Sequence, residues 1–249
     1  MYVKQDERLD DLQRNGLQII QNPKRFCFGM DAVLLANFTT LRKRDYVVDF
    51  GTGTGILPIL LSAKEETATF TALEWQSDMA EMATRSVALN KLNKRIFIEN
   101  IDFRQASKVL TQKAVDVVVC NPPYGKQGST ILNDKTSVTL ARHETDCSLA
   151  ETLQSASKIL RFHGRIYLVF PATRLLELTD LMRKYNLEPK QIRFVCSKIS
   201  KAPYLILVEG LKGGKPSLKW LSPLVVYNED GSETEELKLI YNGGESSGV

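Results

Sequence analysis

The chain has 249 residues, 43% of them hydrophobic and 25% charged, with a net charge of +4. That mix can bury a sizeable core and excludes a disordered tail, a collagen-like fibre and a small disulfide scaffold. No run approaches the roughly 18 apolar residues a membrane span needs, and residues 1–8 are polar where a secretory signal is apolar. Cys27, Cys120, Cys147 and Cys196 have neither zinc nor disulfide spacing. The expected setting is the cytoplasm, with no membrane and no metal.

In chain order, residues 32–38 read as a core helix and 46–50 as a short buried strand ending in glycines. A second strand covers 69–74. Asp78, with Glu81 three residues on, reads as a capping box, and Met79, Met82, Ala83 and Val87 mark one face of the helix that follows. Residues 95–99 and 115–120 are further strands. Ser148 and Glu151 repeat the capping box ahead of a stripe of Leu149, Leu153, Ala156 and Leu160. A strand at 165–170 and a helix striped by Leu175, Leu178, Met182 and Tyr185 come next. Strands at 191–197 and 204–209 have no helix between them, which sets one antiparallel strand in the sheet. Residues 222–227 and 237–241 read as a hairpin across an Asn-Glu-Asp-Gly turn. Alternating strands and helices give a largely parallel sheet covered on both faces. We expect one compact α/β unit: a domain over 46–210, an N-terminal extension over 1–45, and a C-terminal hairpin and tail over 211–249.

The charge is uneven. Residues 228–249 hold six acidic side chains and one lysine, whereas nine Lys/Arg between Arg183 and Lys219 face only Glu188 and Glu209. Tyr185, Phe194, Tyr204 and Trp220 lie in or beside that basic stretch. A solvated basic face is the commoner meaning of such a surplus; a polyanion partner is the alternative.

Asp49-Phe50-Gly51-Thr52-Gly53-Thr54-Gly55 follows the first of these strands and opens a helix, with Pro58 in its first turn. Glycines let a backbone turn sharply and approach a ligand. Ile56 stands where GxGxxG needs its last glycine, so this is not a pyrophosphate cradle. Glu74 ends the next strand, where a carboxylate can accept both hydroxyls of a ribose. Asp102, after the third, can accept from an adenine amino group; for both acids the alternative is plain solvation. DxGxGxG with this acid resembles the S-adenosylmethionine site of class I Rossmann-like methyltransferases, over roughly residues 46–209. The resemblance implies a mostly parallel seven-stranded sheet with one antiparallel strand. It also implies cofactor contacts at Asp49, Gly51, Thr52, Gly53, Gly55, Glu74, Trp75, Asp102 and Phe103, with Asp49 orienting the methionine part.

Asn121-Pro122-Pro123-Tyr124 follows the fourth strand. Two prolines remove two N–H donors and stiffen the chain, poor chemistry for a strand. An exocyclic amino group is a weak nucleophile because its lone pair is delocalised into the ring. The Asn121 side-chain oxygen and the Pro122 carbonyl can each accept one amino hydrogen, drawing the nitrogen toward tetrahedral geometry. Tyr124 offers a face for a planar base. A turn is the plain alternative. The tetrapeptide resembles the [N/D]PP[Y/F] signature of methyltransferases that act on planar nitrogens. By that resemblance Asn121, Pro122, Pro123 and Tyr124 are catalytic, and Asn121 also contacts the cofactor.

The stretch from Phe26 to Ala36 is similar to the segment that caps the methionine end of the cofactor in amino-methyltransferases, which adds Phe28, Gly29 and Asp31 to the contacts. Residues 126–139 are polar and without period, a candidate loop that orders on substrate binding. Arg142 and His143, just after them, are candidate substrate contacts, Arg142 to a phosphate backbone. His163 reads as structural.

FGMDAVLLA, DFGTGTG, NPPY, ARHE and the compact length together resemble the bacterial tRNA valine-1 (adenine-37-N6) methyltransferase family over nearly the whole chain. That implies methylation of adenine N6 in an anticodon loop, where an unpaired base can be splayed into a pocket, with S-adenosylmethionine as cofactor and tRNA as partner. Glutamine N5-methylation of release factors shares NPPY, but that family places a helical domain before the glycine loop, and only 48 residues precede Asp49 here. A non-catalytic binding module on the same scaffold and a DNA adenine methyltransferase are further alternatives.

Overall fold

The computed structural model describes residues 2–25, 27–110, 114–122 and 148–244. Strands β1 (Arg8–Asp11) and β2 (Gln18–Gln21) form a small antiparallel hairpin. Eight more make one sheet: β3 (Tyr46–Phe50), β4 (Thr69–Leu73), β5 (Ile96–Glu99), β6 (Val115–Cys120), β7 (Leu160–Pro171), β8 (Leu187–Cys196), β9 (Pro203–Lys212) and β10 (Lys219–Val225). Their order is β10-β8-β9-β7-β6-β3-β4-β5. Strand β9 runs antiparallel to β7 and β8, and every other pairing in that sheet is parallel.

Successive side chains of a strand point to opposite faces. Val47, Val117, Val119 and Val169 serve one core, which helices α1 (Met30–Phe38) and α2 (Ile56–Lys64) cover with Leu34, Leu35, Ile59 and Leu60. Val48, Val118, Ile166 and Leu168 serve the other. There α5 (Leu149–Ile159) brings Leu153 and Ala156, and α6 (Leu175–Lys184) brings Leu178 and Met182. Two buried faces explain why the central strands read as unbroken apolar runs. The remaining helices are α3 (Ser77–Leu89), the short α4 (Ala106–Val109) and α7 (Glu235–Tyr241). None of the helices among the described residues is long and apolar enough to cross a membrane.

Three expectations need correction. The sheet has eight strands, not seven, because β10 adds in parallel to β8, with Trp220 opposite Ile192. The second half of the expected C-terminal hairpin, 237–241, belongs to helix α7. Thr234 caps it by accepting from the Leu237 N–H at 3.2 Å, and Leu237 and Ile240, three apart, are buried. Asp78 and Glu81 form no capping box, since α3 already begins at Ser77. Their carboxylates pair instead with Arg25 at 2.7 Å and Arg85 at 2.9 Å. The second box is present: Ser148 and Glu151 exchange both capping hydrogen bonds.

The N-terminal segment is fastened to α3. The Ile20 N–H donates to Ser86 Oγ at 3.1 Å, and Arg85 makes two 2.7 Å contacts to Glu7, whose carboxyl is held low chiefly by that guanidinium. Arg85→Ala strands a nearly buried carboxylate. It should cost about 1–3 kcal/mol, read as a lower denaturation midpoint with an unchanged slope.

Candidate active site at the ends of the parallel strands

Phe50 and Cys120 are direct neighbours across β3 and β6, and the Cys120 thiol donates to the Phe50 carbonyl at 3.5 Å. The next residues along are Gly51 and Asn121. The glycine loop and the asparagine therefore leave adjacent strand ends, about 4.8 Å apart. This is the C-terminal edge of the sheet, where open α/β folds bind ligands. Asn121 is half-buried and Pro122 buried.

Gly51 has φ +70°, and a side chain there would enter open space. Backbone geometry, not crowding, calls for glycine, and the space stays free for a ligand. Gly55 caps α2 at φ +91°, a left-handed conformation that glycine adopts without strain. The Gly51 and Thr52 N–H groups donate to the Leu73 carbonyl at 2.9 and 3.0 Å.

Glu74, buried just past the end of β4, grips this loop. One oxygen accepts from the Gly53 N–H and the other from the Gln76 N–H, each at 2.9 Å. Burial nonetheless raises its pKa. A carboxylate oxygen has two lone pairs, so each retains an acceptor direction for a ligand hydroxyl. Asn100 holds the same corner by donating to the carbonyls of Glu74 and Trp75 at 2.8 and 3.0 Å. Sequence reasoning missed Asn100; its one signal was an amide directly after β5.

Asp49 is fully buried, and neither carboxylate oxygen has a hydrogen-bond partner of good geometry. The Thr52 hydroxyl, three residues on, is likewise buried without one. Burial pushes the Asp49 carboxyl up to about 7; the nearby Thr52 hydroxyl offsets part of that rise, and the charge of Glu74 adds to it. Buried polar groups are nearly always satisfied. An orphaned carboxylate and hydroxyl beside an open glycine cradle fit a ligand that brings its own cationic donor.

Asp102 accepts from the Arg104 N–H at 2.8 Å and pairs with its guanidinium, which keeps its pKa low. Phe103 stacks on Phe50, centroids 4.8 Å apart, so its ring belongs partly to the core. Trp75 is 47% exposed at the end of β4. Phe28, Gly29 and Asp31 sit at the start of α1; the Phe28 N–H donates to Gln21 Oε1 at 3.0 Å, tying the segment to β2. Pro123, Tyr124, Arg142, His143 and residues 126–139 lie outside the described residues. His163 is exposed on β7 at φ +59°, its ring 4.2 Å from that of Phe162.

A parallel sheet with one antiparallel strand, a glycine cradle and an acid on the neighbouring strand end define a Rossmann-like methyltransferase of the S-adenosylmethionine-dependent class. A family model, the methyltransferase small domain, matches residues 28–193, and the chain belongs to that family. It is similar to a tRNA1(Val) (adenine(37)-N6)-methyltransferase of Haemophilus influenzae, with 28% identity over 87% of this chain and 90% of that one. One of the same name from Parabacteroides distasonis is 29% identical over 73% and 75%. Among solved structures, a predicted O-methyltransferase from Agrobacterium tumefaciens shares the fold with a TM-score of 0.69 at 22% identity, covering 86% of this chain and 96% of that one.

Proposed function

We propose that the chain transfers the methyl group of S-adenosylmethionine to N6 of an adenine in the anticodon loop of a tRNA. The observation that carries this reading is Asn121, one residue past the Phe50–Cys120 pair and beside the glycine cradle. The names of the two bacterial relatives support the nitrogen and the RNA. Such a substrate sets the protein in the cytoplasm.

The cofactor supplies an electrophilic methyl when bound. Asp49 and Thr52 orient its methionine end, with Phe28, Gly29 and Asp31 closing over it. Gly51, Gly53 and Gly55 let the backbone approach. Glu74 accepts the ribose hydroxyls, and Trp75 and Phe103 line the adenosine. Asp102, steadied by Arg104, accepts from the adenine amino group. On the substrate side, Asn121 and the Pro122 carbonyl each accept one hydrogen of the target amino group. They localise its lone pair and stabilise the positive charge that grows on nitrogen. Holding the nitrogen in line for attack supplies much of the rate, and no base need act beforehand. Pro123 stiffens this turn, Tyr124 stacks on the base, and Arg142 and His143 contact the RNA.

Glu74→Ala removes both the loop grip and the ribose acceptor. It should weaken cofactor binding by roughly 10- to 150-fold, for loss of a charged hydrogen bond, measured calorimetrically. Unaltered affinity would take Glu74 out of the site. The function itself is tested with methyl-labelled S-adenosylmethionine offered, separately, unmodified bulk tRNA, ribosomal RNA, duplex DNA and release factor. Label in tRNA recovered as N6-methyladenosine is the expected result. Label in release factor alone would overturn the adenine reading.

A further inference from the structure

Asp102 follows β5 and is bracketed by residues that touch both halves of the cradle. On one side Asn100 donates to the carbonyls of Glu74 and Trp75 at 2.8 and 3.0 Å. The Glu74 N–H donates in turn to the Glu99 carbonyl at 3.0 Å, so the ends of β4 and β5 are tied together. On the other side Phe103 stacks on Phe50, whose neighbour in the chain is Gly51. The Asp102 side chain between them is only 26% exposed.

A carboxylate offers about four acceptor directions, two on each oxygen. Asp102 Oδ2 takes the Arg104 Nε–H at 2.8 Å and an Nη2–H at 2.5 Å, which fills it. Oδ1 takes the Arg104 backbone N–H at 2.8 Å and keeps one direction. The guanidinium reaches on to Glu151 Oε1 at 3.4 Å, and Glu151 is itself fixed by its capping box with Ser148 at the start of α5. The planar fork is thus oriented from both ends, and it imposes that orientation on Asp102. It also keeps the carboxyl ionised, lowering its pKa more than any other group does. Arg104 is 47% exposed, where a pair of charges adds little stability. Its effect is directional.

One free acceptor direction suits one N–H. Adenine presents an amino hydrogen at C6 beside an acceptor nitrogen in the ring, whereas hypoxanthine reverses the pair, with a carbonyl at C6 and an N–H beside it. With Oδ2 filled, Asp102 can serve the first pattern and has no second oxygen to offer the other. We propose that Arg104 is a positioning residue that leaves Asp102 a single acceptor and so makes the site selective for a 6-amino over a 6-oxo purine in the cofactor. This rests on the reading of Asp102 as the acceptor for the cofactor's adenine. Arg104 acts through Asp102 and takes no part in methyl transfer.

The test is calorimetric binding of S-adenosylhomocysteine and of its 6-oxo counterpart, S-inosylhomocysteine, to the full chain. The parent should prefer the adenine ligand by roughly 10- to 150-fold, one hydrogen bond to a charged acceptor. Arg104→Ala keeps the backbone N–H on Oδ1 and frees Oδ2 for the hypoxanthine N–H. The preference should then fall about fivefold, the worth of one ordinary hydrogen bond. Arg104→Lys, a point charge without the fork, should stay near the alanine value. Asp102→Ala should abolish the preference. An equal loss of both affinities in Arg104→Ala would mean that Arg104 only shapes the turn and would overturn the proposal, as would full recovery in Arg104→Lys. A preference that collapses in Asp102→Ala but keeps its parent value in Arg104→Ala would leave Asp102 as the acceptor and remove Arg104 alone. A preference that survives Asp102→Ala would sink the adenine reading of Asp102 itself.

Discussion

Asn121→Ala should lower kcat for methyl transfer by roughly 100- to 1000-fold, the usual scale for losing one preorganised polar group at a site of developing charge. The chain should stay folded, because Asn121 is only half-buried and lies past the end of β6. Cofactor affinity should change far less, since Asp49 lies on β3, the glycine backbone in the turn after it, and Glu74 just past β4. Asn121→Asp keeps an acceptor oxygen at the same place and should recover part of the rate. A residue that only shaped the turn would not be rescued by introducing a charge. Single-turnover rates at saturating cofactor, beside calorimetric cofactor affinities, separate the cases. If both quantities fell by the same factor, Asn121 would be a cofactor contact and not an acceptor for the target amine.

What made this residue legible was local chemistry: an amide and two prolines directly after a β-branched run. The same holds for the strands that bound the site. Residues 46–50 and 115–120 end where they were expected to, because buried valines stop at a glycine loop in one case and at Asn-Pro in the other. Reading fails where the partner is distant. Asp78 has the sequence of a helix cap, but Arg25 takes its carboxylate and the helix starts earlier. Residues 237–241 suit a strand, yet Leu237 and Ile240 share one helical face and bury it. The match of Trp220 to Ile192 is a parallel pairing between segments joined through β9. No turn fixes that register locally, so the eighth strand was not visible. The unsatisfied state of Asp49 was hidden as well. Its position in DxGxGxG pointed to a ligand, while its lack of partners depends on how β4, β6 and the loop close around it.

That unsatisfied state sets the last expectation, in which Asp49→Asn moves stability and binding in opposite directions. An aspartate near 4 in the unfolded chain and near 7 in the folded one binds its proton more tightly when folded. As pH rises from about 4 to about 7, the unfolded chain has already lost that proton and the folded chain must give it up at a cost. Ionised Asp49 therefore destabilises the ligand-free protein, by about 4 kcal/mol above pH 7, and the effect vanishes below pH 4. The amide of the variant carries no such charge. It should unfold at higher denaturant than the parent at pH 8 and at nearly the same concentration at pH 4. Cofactor binding should go the other way, weakening roughly 10- to 150-fold through loss of the charged acceptor. It should also lose its pH dependence. In the parent the carboxyl must shed its proton to meet a cationic ligand, so Kd should rise about tenfold per pH unit below 7, with proton release seen as a buffer-dependent heat. The variant's Kd should be flat over that range. A parent whose Kd does not vary between pH 5 and 8 would show that Asp49 is ionised without the cofactor, and that the chain stabilises its charge unaided.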